Sequence, residues 1–317
     1  MKTVTLLALA ILFSAQVRAQ TRLEVAADGS AKFKSVQDAI MFIPAGNPTN
    51  PVIIHIKPGV YKELIYIQRE KRFFNLVGDD PETTVLTCNL YANLTNHDGK
   101  PIGTFRTPSA TIDADDFTAE NLTFENSAGP KGQALAIRVD GDRAAFRNCR
   151  FLGWQDTMFL NRGRQYFENC YIAGHVDFIF GAATAFFEKC HIQCLGDGYI
   201  TAASTPYDQP FGFVFSNCKI TGDKPETKSF LGRPWRVYAS TIFLNTEMSE
   251  VTRPQGWNNW GKAEAGKTRY AEFNSTGAGA NPKTRADWSR QLTKREAKAI
   301  TPKKVFGGWN PNAGNKN

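Results

Sequence analysis

Short alternations of apolar and polar residues, broken by turn residues, run through most of the chain. Residues 52–56 (VIIHI) read as a buried strand that ends at Lys57-Pro58-Gly59. Residues 60–67 (VYKELIYI) alternate as the next strand. Residues 73–77 form another before the turn Gly78-Asp79-Asp80-Pro81, and 83–86 follow it. Strands this short, with turns at regular intervals, predict an all-β fold. Two segments break the pattern. Residues 33–43 (FKSVQDAIMFI) put apolar side chains at 33, 36, 39, 40 and 43, the spacing of an amphipathic helix. Its expected place is over the open end of a stack of strands, where unpaired edges need cover. Residues 293–300 (TKREAKAI) predict a second short helix.

The middle of the chain repeats. Phe146-Arg147-Asn148-Cys149, Phe167-Glu168-Asn169-Cys170, Phe187-Glu188-Lys189-Cys190 and Phe215-Ser216-Asn217-Cys218 are copies of one unit, with cysteine spacings of 21, 20 and 28 residues. A period near 20 is one coil of a solenoid. Phe and Cys lie three positions apart, so one straight strand cannot turn both inward. A bend between them can. The expectation is a single-domain parallel β-helix with an inner Phe stack and an inner Cys stack. Equivalent positions on neighbouring coils fall within disulfide range, and Cys170 with Cys190 is the best-placed pair. The alternative is a ladder of reduced thiols, because stacked side chains point along one another. Cys88 and Cys194 are expected to stay free. Beyond Gly232 the repeat fades: 240–244 still reads as a strand, 249–288 as long loops on one face, and 307–317 as a loose tail.

Two polar pairs share the period. Gln133 and Gln155 are 22 residues apart, and Asp156 and Asp177 are 21 apart. Wound on neighbouring coils, all four fall on one wall. Asp177 sits in the apolar run Val176-Asp-Phe178-Ile179-Phe180 and so needs a partner. Either Asp alone reads as a structural ion pair or a turn cap, and a stacked Gln as a hydrogen-bonded ladder. Together they suit attack on a carbonyl: one ionised carboxylate as nucleophile, one protonated carboxyl to serve the leaving group, and two amides for the oxyanion. Arg233 in Leu231-Gly232-Arg233-Pro234-Trp235 is the cation to hold one Asp ionised, with Arg138 behind it. Trp235 offers a flat face for a sugar ring. His175, two residues before Asp177, shares its strand face and could touch the site, although a packed or solvent-facing imidazole is the plainer reading of a lone histidine. The four histidines have no metal-ligand spacing and there is no C-x-x-C, so no metal and no cofactor are expected. No nucleophile elbow or phosphate loop occurs.

Residues 1–19 read as a secretory signal, with Lys2 at the start, an apolar core over 5–13 and a small residue at the cleavage point, Ala19. One domain over 20–317 remains. Loss of Lys2 and Arg18 lowers the formal charge from +8 to +6. Modest basicity suits an anionic polysaccharide, and scattered Lys and Arg disfavour nucleic acid. No membrane association and a secreted monomer are expected.

The chain resembles the pectin methylesterase (pectinesterase) family in the stretches VAADGSAKFKSVQDAI, GVYKE, TFRTPSAT, ENLTFEN, GQALAIR, GWQDTMF, GHVDFIFG, LGRPW, GWNNW and YAEFNSTGAGA. These fall in family order over residues 23–309. The resemblance implies a right-handed parallel β-helix that removes methyl esters from polygalacturonate. It implies Asp177 as nucleophile, Asp156 as general acid and base, Gln133 and Gln155 as the oxyanion donors and Arg233 as orienter of the nucleophile. It implies Trp235, Phe180, Phe159 and Thr104 as substrate contacts. His175 departs from the Thr of many relatives. The competing readings are a β-helical pectate lyase or polygalacturonase, and a non-catalytic carbohydrate-binding β-helix.

Overall fold

Each strand of this chain pairs in parallel with its equivalent one coil away, and this coiling generates the whole architecture. The computed structural model describes residues 21–312; the signal segment expected at 1–19 lies outside them. An 11-stranded parallel sheet runs from Arg22–Val25 to Arg290–Gln291 and carries the F-x-N-C strands Ala144–Arg147, Arg164–Glu168, Thr184–Glu188 and Phe213–Ser216 side by side. A second face is built from Gly59–Lys62, Thr84–Cys88, Thr123–Asn126 and Arg150–Leu152, and a third from Ile65–Ile67, Ala110–Ile112, Ile137–Val139 and Met158–Leu160. The long strands Tyr171–Gly181 and His191–Ala203 bend from the second face into the third.

The bend inferred between Phe and Cys has a backbone cause. Asn121, Asn148, Asn169, Lys189, Asn217, Asn245 and Asn274 all hold φ between 48° and 56°. Asn tolerates this left-handed region better than most residues. At each corner the reversed twist turns both neighbours inward. Phe146, Phe167, Phe187, Phe215 and Phe243 accordingly stack at 4.9, 4.7, 4.3 and 4.5 Å, with ring planes within 10°. Cys149, Cys170, Cys190 and Cys218 form the parallel thiol ladder, each donating to backbone carbonyls such as Phe146 O and Phe187 O. All six cysteines are free, so Cys170 and Cys190 are not joined. Register explains it: equivalent Cα–Cβ vectors run alongside each other, and neither sulfur turns toward its neighbour.

The N-terminal helix is Val36–Phe42, capped by Ser35, with Val36, Ala39 and Ile40 buried against the first coil. The Glu63 carboxylate accepts from the backbone N–H groups of Val36 and Gln37, satisfying donors that a helix start leaves unpaired. The second helix, Lys294–Ala299, starts with a Thr293/Glu296 capping box.

Three expectations change. The alternating run 60–67 is two strands on two faces, Gly59–Lys62 and Ile65–Ile67, separated by a corner at Glu63-Leu64. The stretch 249–288 is not loops alone. After the expected strand Ser240–Leu244, Arg269–Phe273 within that stretch continues the long sheet, with Thr246 and Ser275 in the places that cysteine holds earlier. The tail expected at 307–317 is packed as far as it is described, to residue 312: Trp309 lies against buried Phe306 with ring centroids 4.8 Å apart, and Arg147 donates to Pro311 O at 2.6 Å.

Candidate active site

The wall predicted to hold the polar pairs is the corner between the second and third faces. Gln133 and Gln155 form a parallel bridge across neighbouring coils. Ala134 N–H donates to Gln155 O at 3.1 Å, and Asp156 N–H donates to Val176 O at 3.0 Å. The backbone ladder therefore stacks the three coils that carry Gln133, Gln155-Asp156 and Asp177. Neither glutamine amide is hydrogen-bonded to any described residue, so both remain available to a ligand.

Both aspartates sit at left-handed backbone positions, φ 64° at Asp156 and 51° at Asp177. The strand Tyr171–Gly181 loses register on both sides of Val176, which is a bulge. It lets Phe178 and Ile179 both enter the core while Asp177 faces outward. Local strain of this kind persists where packing over-determines it. The bulge also decides between the two readings of His175, in favour of the packed side chain. Strict alternation would have put it beside Asp177. Instead it packs edge-on against Trp154 at 5.5 Å and does not line the cleft.

Arg233 grips Asp177 with two hydrogen bonds, Nε to Oδ1 at 2.9 Å and Nη2 to Oδ2 at 2.6 Å. The guanidinium is itself held between the rings of Tyr199 and Trp260, each centroid 3.8 Å from its central carbon. Arg138 does not stand behind it; its Nε donates to Asp140 and its guanidinium lies over Phe159. Burial pushes the Asp177 carboxyl above the usual carboxylate value, and Arg233, with Lys262 farther off, opposes the rise. Asp156 has no such partner. Burial first, and then the charge of Asp177, push it up to about 8. The two groups therefore separate: Asp177 gives up its proton first and Asp156 keeps its own near neutrality.

The cleft above them holds about 280 Å³ and is lined by Thr104, Phe105, Gln133, Gln155, Asp156, Asp177, Phe180, Ala202, Arg233, Trp235 and Trp260. Phe159 stacks on Phe180 at 4.7 Å, and Phe180 meets Trp235 at 5.9 Å, forming an aromatic floor with Leu135 and Ala202. The nine residues that the resemblance implies all meet in this cleft or its floor, whereas Arg138 and His175 do not. Sequence reasoning missed Phe105, Tyr199, Trp260, Lys262 and Asn126. The Trp-rich stretch 257–260 was the one available signal. Asn126 is buried, and its Nδ2 donates to Leu90 O, Thr107 O and Leu135 O at 2.9, 3.2 and 3.0 Å. It thereby ties the loops that bring in Thr104 and Gln133. Among the described residues, no group of three or more His, Cys, Asp or Glu is arranged to hold a metal ion, and no helix is long and apolar enough to cross a membrane.

Known proteins resemble this chain in sequence and in shape. The family model described as Pectinesterase matches residues 22–308. Pectinesterase 31 of Arabidopsis thaliana is 45% identical over 287 residues, covering 88% of this chain and 90% of that protein. Pectin methylesterase from carrot superposes with a TM-score of 0.84 at 33% identity, over 90% of this chain and 93% of its own. Pectin methylesterase PemA from Erwinia chrysanthemi superposes at 0.82 and 31% identity, over 92% and 99%. A pectin methylesterase in complex with a hexasaccharide does so at 0.81 and 32%, again over 92% and 99%. The fold is the right-handed parallel β-helix of these enzymes, and the chain belongs to the pectinesterase family.

Proposed function

We propose that this protein hydrolyses the methyl esters of polygalacturonate, releasing methanol, with Asp177 as nucleophile and Asp156 as general acid and base. The observation that carries the assignment is the split between the two buried carboxyls: one clamped by a guanidinium, the other pushed to about 8. Ionised Asp177 attacks the ester carbonyl carbon. The carbonyl oxygen becomes an oxyanion that accepts hydrogen bonds from the amides of Gln133 and Gln155. As the tetrahedral intermediate collapses, the bond to the methoxy oxygen breaks and Asp156 gives that oxygen its proton, so methanol leaves. The product is an anhydride between Asp177 and the substrate acyl group. Asp156, now ionised, takes a proton from water, whose oxygen attacks the substrate acyl carbon of the anhydride. The galacturonate carboxylic acid departs and Asp177 is regenerated as a carboxylate. Arg233 keeps Asp177 aimed throughout, and the aromatic floor of Phe159 and Phe180, with Trp235 and Thr104 at the walls, holds the sugar chain. The residues supply every proton the cycle needs, and no metal or cofactor takes part.

Secretion as a monomer fits this reading: residues 1–19 direct export, 20–317 act as one domain, and the substrate is a wall polymer outside the cell. Methanol release from highly esterified pectin tests it, with Asp177→Asn as the arm that isolates the nucleophile. An amide is too weak a nucleophile for acyl attack, so that variant should fold and release no methanol. Near-normal turnover in it would remove Asp177 from the role. Unsaturated or shortened sugar products, or inactivation by EDTA reversed by calcium, would favour a lyase or a polygalacturonase.

A further inference from the structure

Arg233 and Asp177 do not lie on neighbouring coils. The strand His191–Ala203 runs between the strand that carries Asp177 and the one that leads into Arg233. Coils are spaced like the strands of a sheet, so the two backbones are roughly 10 Å apart. The Arg233 side chain crosses that gap, and a chain so long and flexible resists being fixed. Tyr199 lies on the intervening strand and is in register with both ends of the ion pair. It pairs with Val176, just before Asp177, on one side and with Phe230, just before Leu231-Gly232-Arg233, on the other. Its half-buried ring lies against the guanidinium, 3.8 Å from centroid to central carbon. A column extends both ways from this contact. Trp260 lies on the guanidinium at the same distance, and Lys262 Nζ is 4.0 Å from the Trp260 centroid. Phe230 stacks on Tyr199 at 5.5 Å with planes 10° apart, and the Arg253 guanidinium lies 5.2 Å from the Phe230 ring. Asp197, on the same strand as Tyr199, accepts from Arg253 at 3.0 Å. The two walls of the Arg233 guanidinium differ. Trp260 is 36% exposed and sits in a turn, whereas Tyr199 belongs to a strand paired on both sides. Tyr199 is the fixed wall.

We infer that Tyr199 is a positioning residue of the esterase reaction: its ring is the shelf on which Arg233 crosses the intervening coil to grip Asp177 with two bonds. The inference rests on Asp177 being the nucleophile, and it adds a residue that does not line the cleft. A guanidinium stacked by its face keeps its edge N–H groups free, so the contact with the ring and the two bonds to Asp177 coexist. The ring face does this work and the hydroxyl does not. An aliphatic side chain fills the space but offers the cation no π-face, and the fork is then free to leave Asp177.

The test removes the ring and keeps the apolar bulk. Tyr199→Leu should lower kcat for methanol release from esterified pectin roughly tenfold, the scale of one desolvated cation–π contact. KM should stay within about twofold, because the lost contact orients the nucleophile and does not bind the sugar. The pH profile separates positioning from mere support. The groups that bear on Asp177 are Arg233, Lys262 and Asp156. With Arg233 loosened, burial acts less opposed, and the acid limb of kcat should move to higher pH. Tyr199→Phe keeps the ring face and should restore both kcat and the acid limb. Tyr199→Met replaces the Leu variant if that one does not fold. Infrared titration of the Asp177 carboxyl, taken as the difference from Asp177→Asn, should show the same upward move without any turnover. An unchanged kcat, an unmoved titration or a loss that Tyr199→Phe shares overturns the inference and leaves the esterase intact. Absence of methanol release by the wild-type protein instead overturns the esterase reading, and the infrared titration still decides whether Tyr199 holds Arg233 on Asp177.

Discussion

Asp177 and Asp156 are the same side chain on neighbouring coils, and their surroundings give them different work. The bidentate bond from Arg233 favours the charged form of Asp177, whereas Asp156 meets burial and a neighbouring negative charge. Activity requires the first ionised and the second protonated, so the kcat–pH profile should be bell-shaped. Its alkaline limb should fall near pH 8, set by Asp156. Its acid limb should lie above the usual carboxylate range, because burial raises Asp177. In Arg233→Lys an ammonium replaces a planar fork, so kcat should fall by on the order of a hundredfold. The acid limb should also move up, as burial then acts less opposed. A profile and kcat like those of the wild type would reduce Arg233 to a surface ion pair. Asp156 should also be visible in stability. Its folded pKa is raised above the unfolded value, so the folded state binds the extra proton between about pH 4 and pH 8, and stability is lost as pH rises through that window. Asp156→Asn keeps the shape and removes the titration. Its Tm should therefore gain on the wild type as pH rises from 4 to 8; a pH-independent difference would mean that Asp156 is not held protonated.

The corner is the element from which the β-helix is made. Its left-handed residue is Asn in six coils and Lys189 in one. The asparagines also bond coil to coil, Asn148 Nδ2 to Asn121 Oδ1 at 2.6 Å and Asn274 Nδ2 to Asn245 Oδ1 at 2.9 Å. At the Lys189 corner the ladder is interrupted, and Asn217 donates to Glu188 at 2.8 Å instead. A left-handed residue that is not Gly or Asn costs about 1–2 kcal/mol. Lys189→Asn should recover part of that, with a Tm rise of about 2 °C in thermal denaturation. A fall in Tm would show that the exposed Lys189 side chain contributes something that the backbone does not reveal.

Across the whole molecule, the C-terminal coils close the core and bring Trp260 and Lys262 to the site. Their hold is the Arg285–Glu272 pair, with side chains only 3% and 2% exposed and Nε to Oε1 at 2.7 Å. Arg285 also donates to Gly279 O at 2.8 Å and Pro254 O at 3.0 Å, which fastens the 249–288 segment to the sheet. Removing one partner of a buried pair leaves an uncompensated charge and costs about 3–5 kcal/mol. Glu272→Ala should thus lower Tm by on the order of 10 °C. It should also lower kcat well below the unfolding temperature, since the loop that backs Arg233 loses its anchor. A lower Tm with full activity would separate the closing segment from the site.

The sequence alone determined what repeats. A period near 20 with Phe, Asn and Cys at fixed places dictates parallel coils, an inner aromatic stack and a corner between them, because each coil sees the same neighbours. The same step puts Gln133, Gln155, Asp156 and Asp177 on one wall, because residues one coil apart face the same way. The run 60–67 hid its corner because alternation continues across Glu63-Leu64. The later coils were obscured because Thr246 and Ser275 replace the cysteine that marked the repeat. Other features depended on positions far apart in the chain. Arg233 reaches Asp177 across 56 residues, and Trp260 and Tyr199 sandwich it from two further segments. The bulge at Val176 turned His175 away from the cleft, and the parallel register kept Cys170 and Cys190 apart. Tertiary structure also set the order in which the two carboxyls titrate, since burial and neighbouring charge are properties of the folded cleft and not of any stretch of sequence.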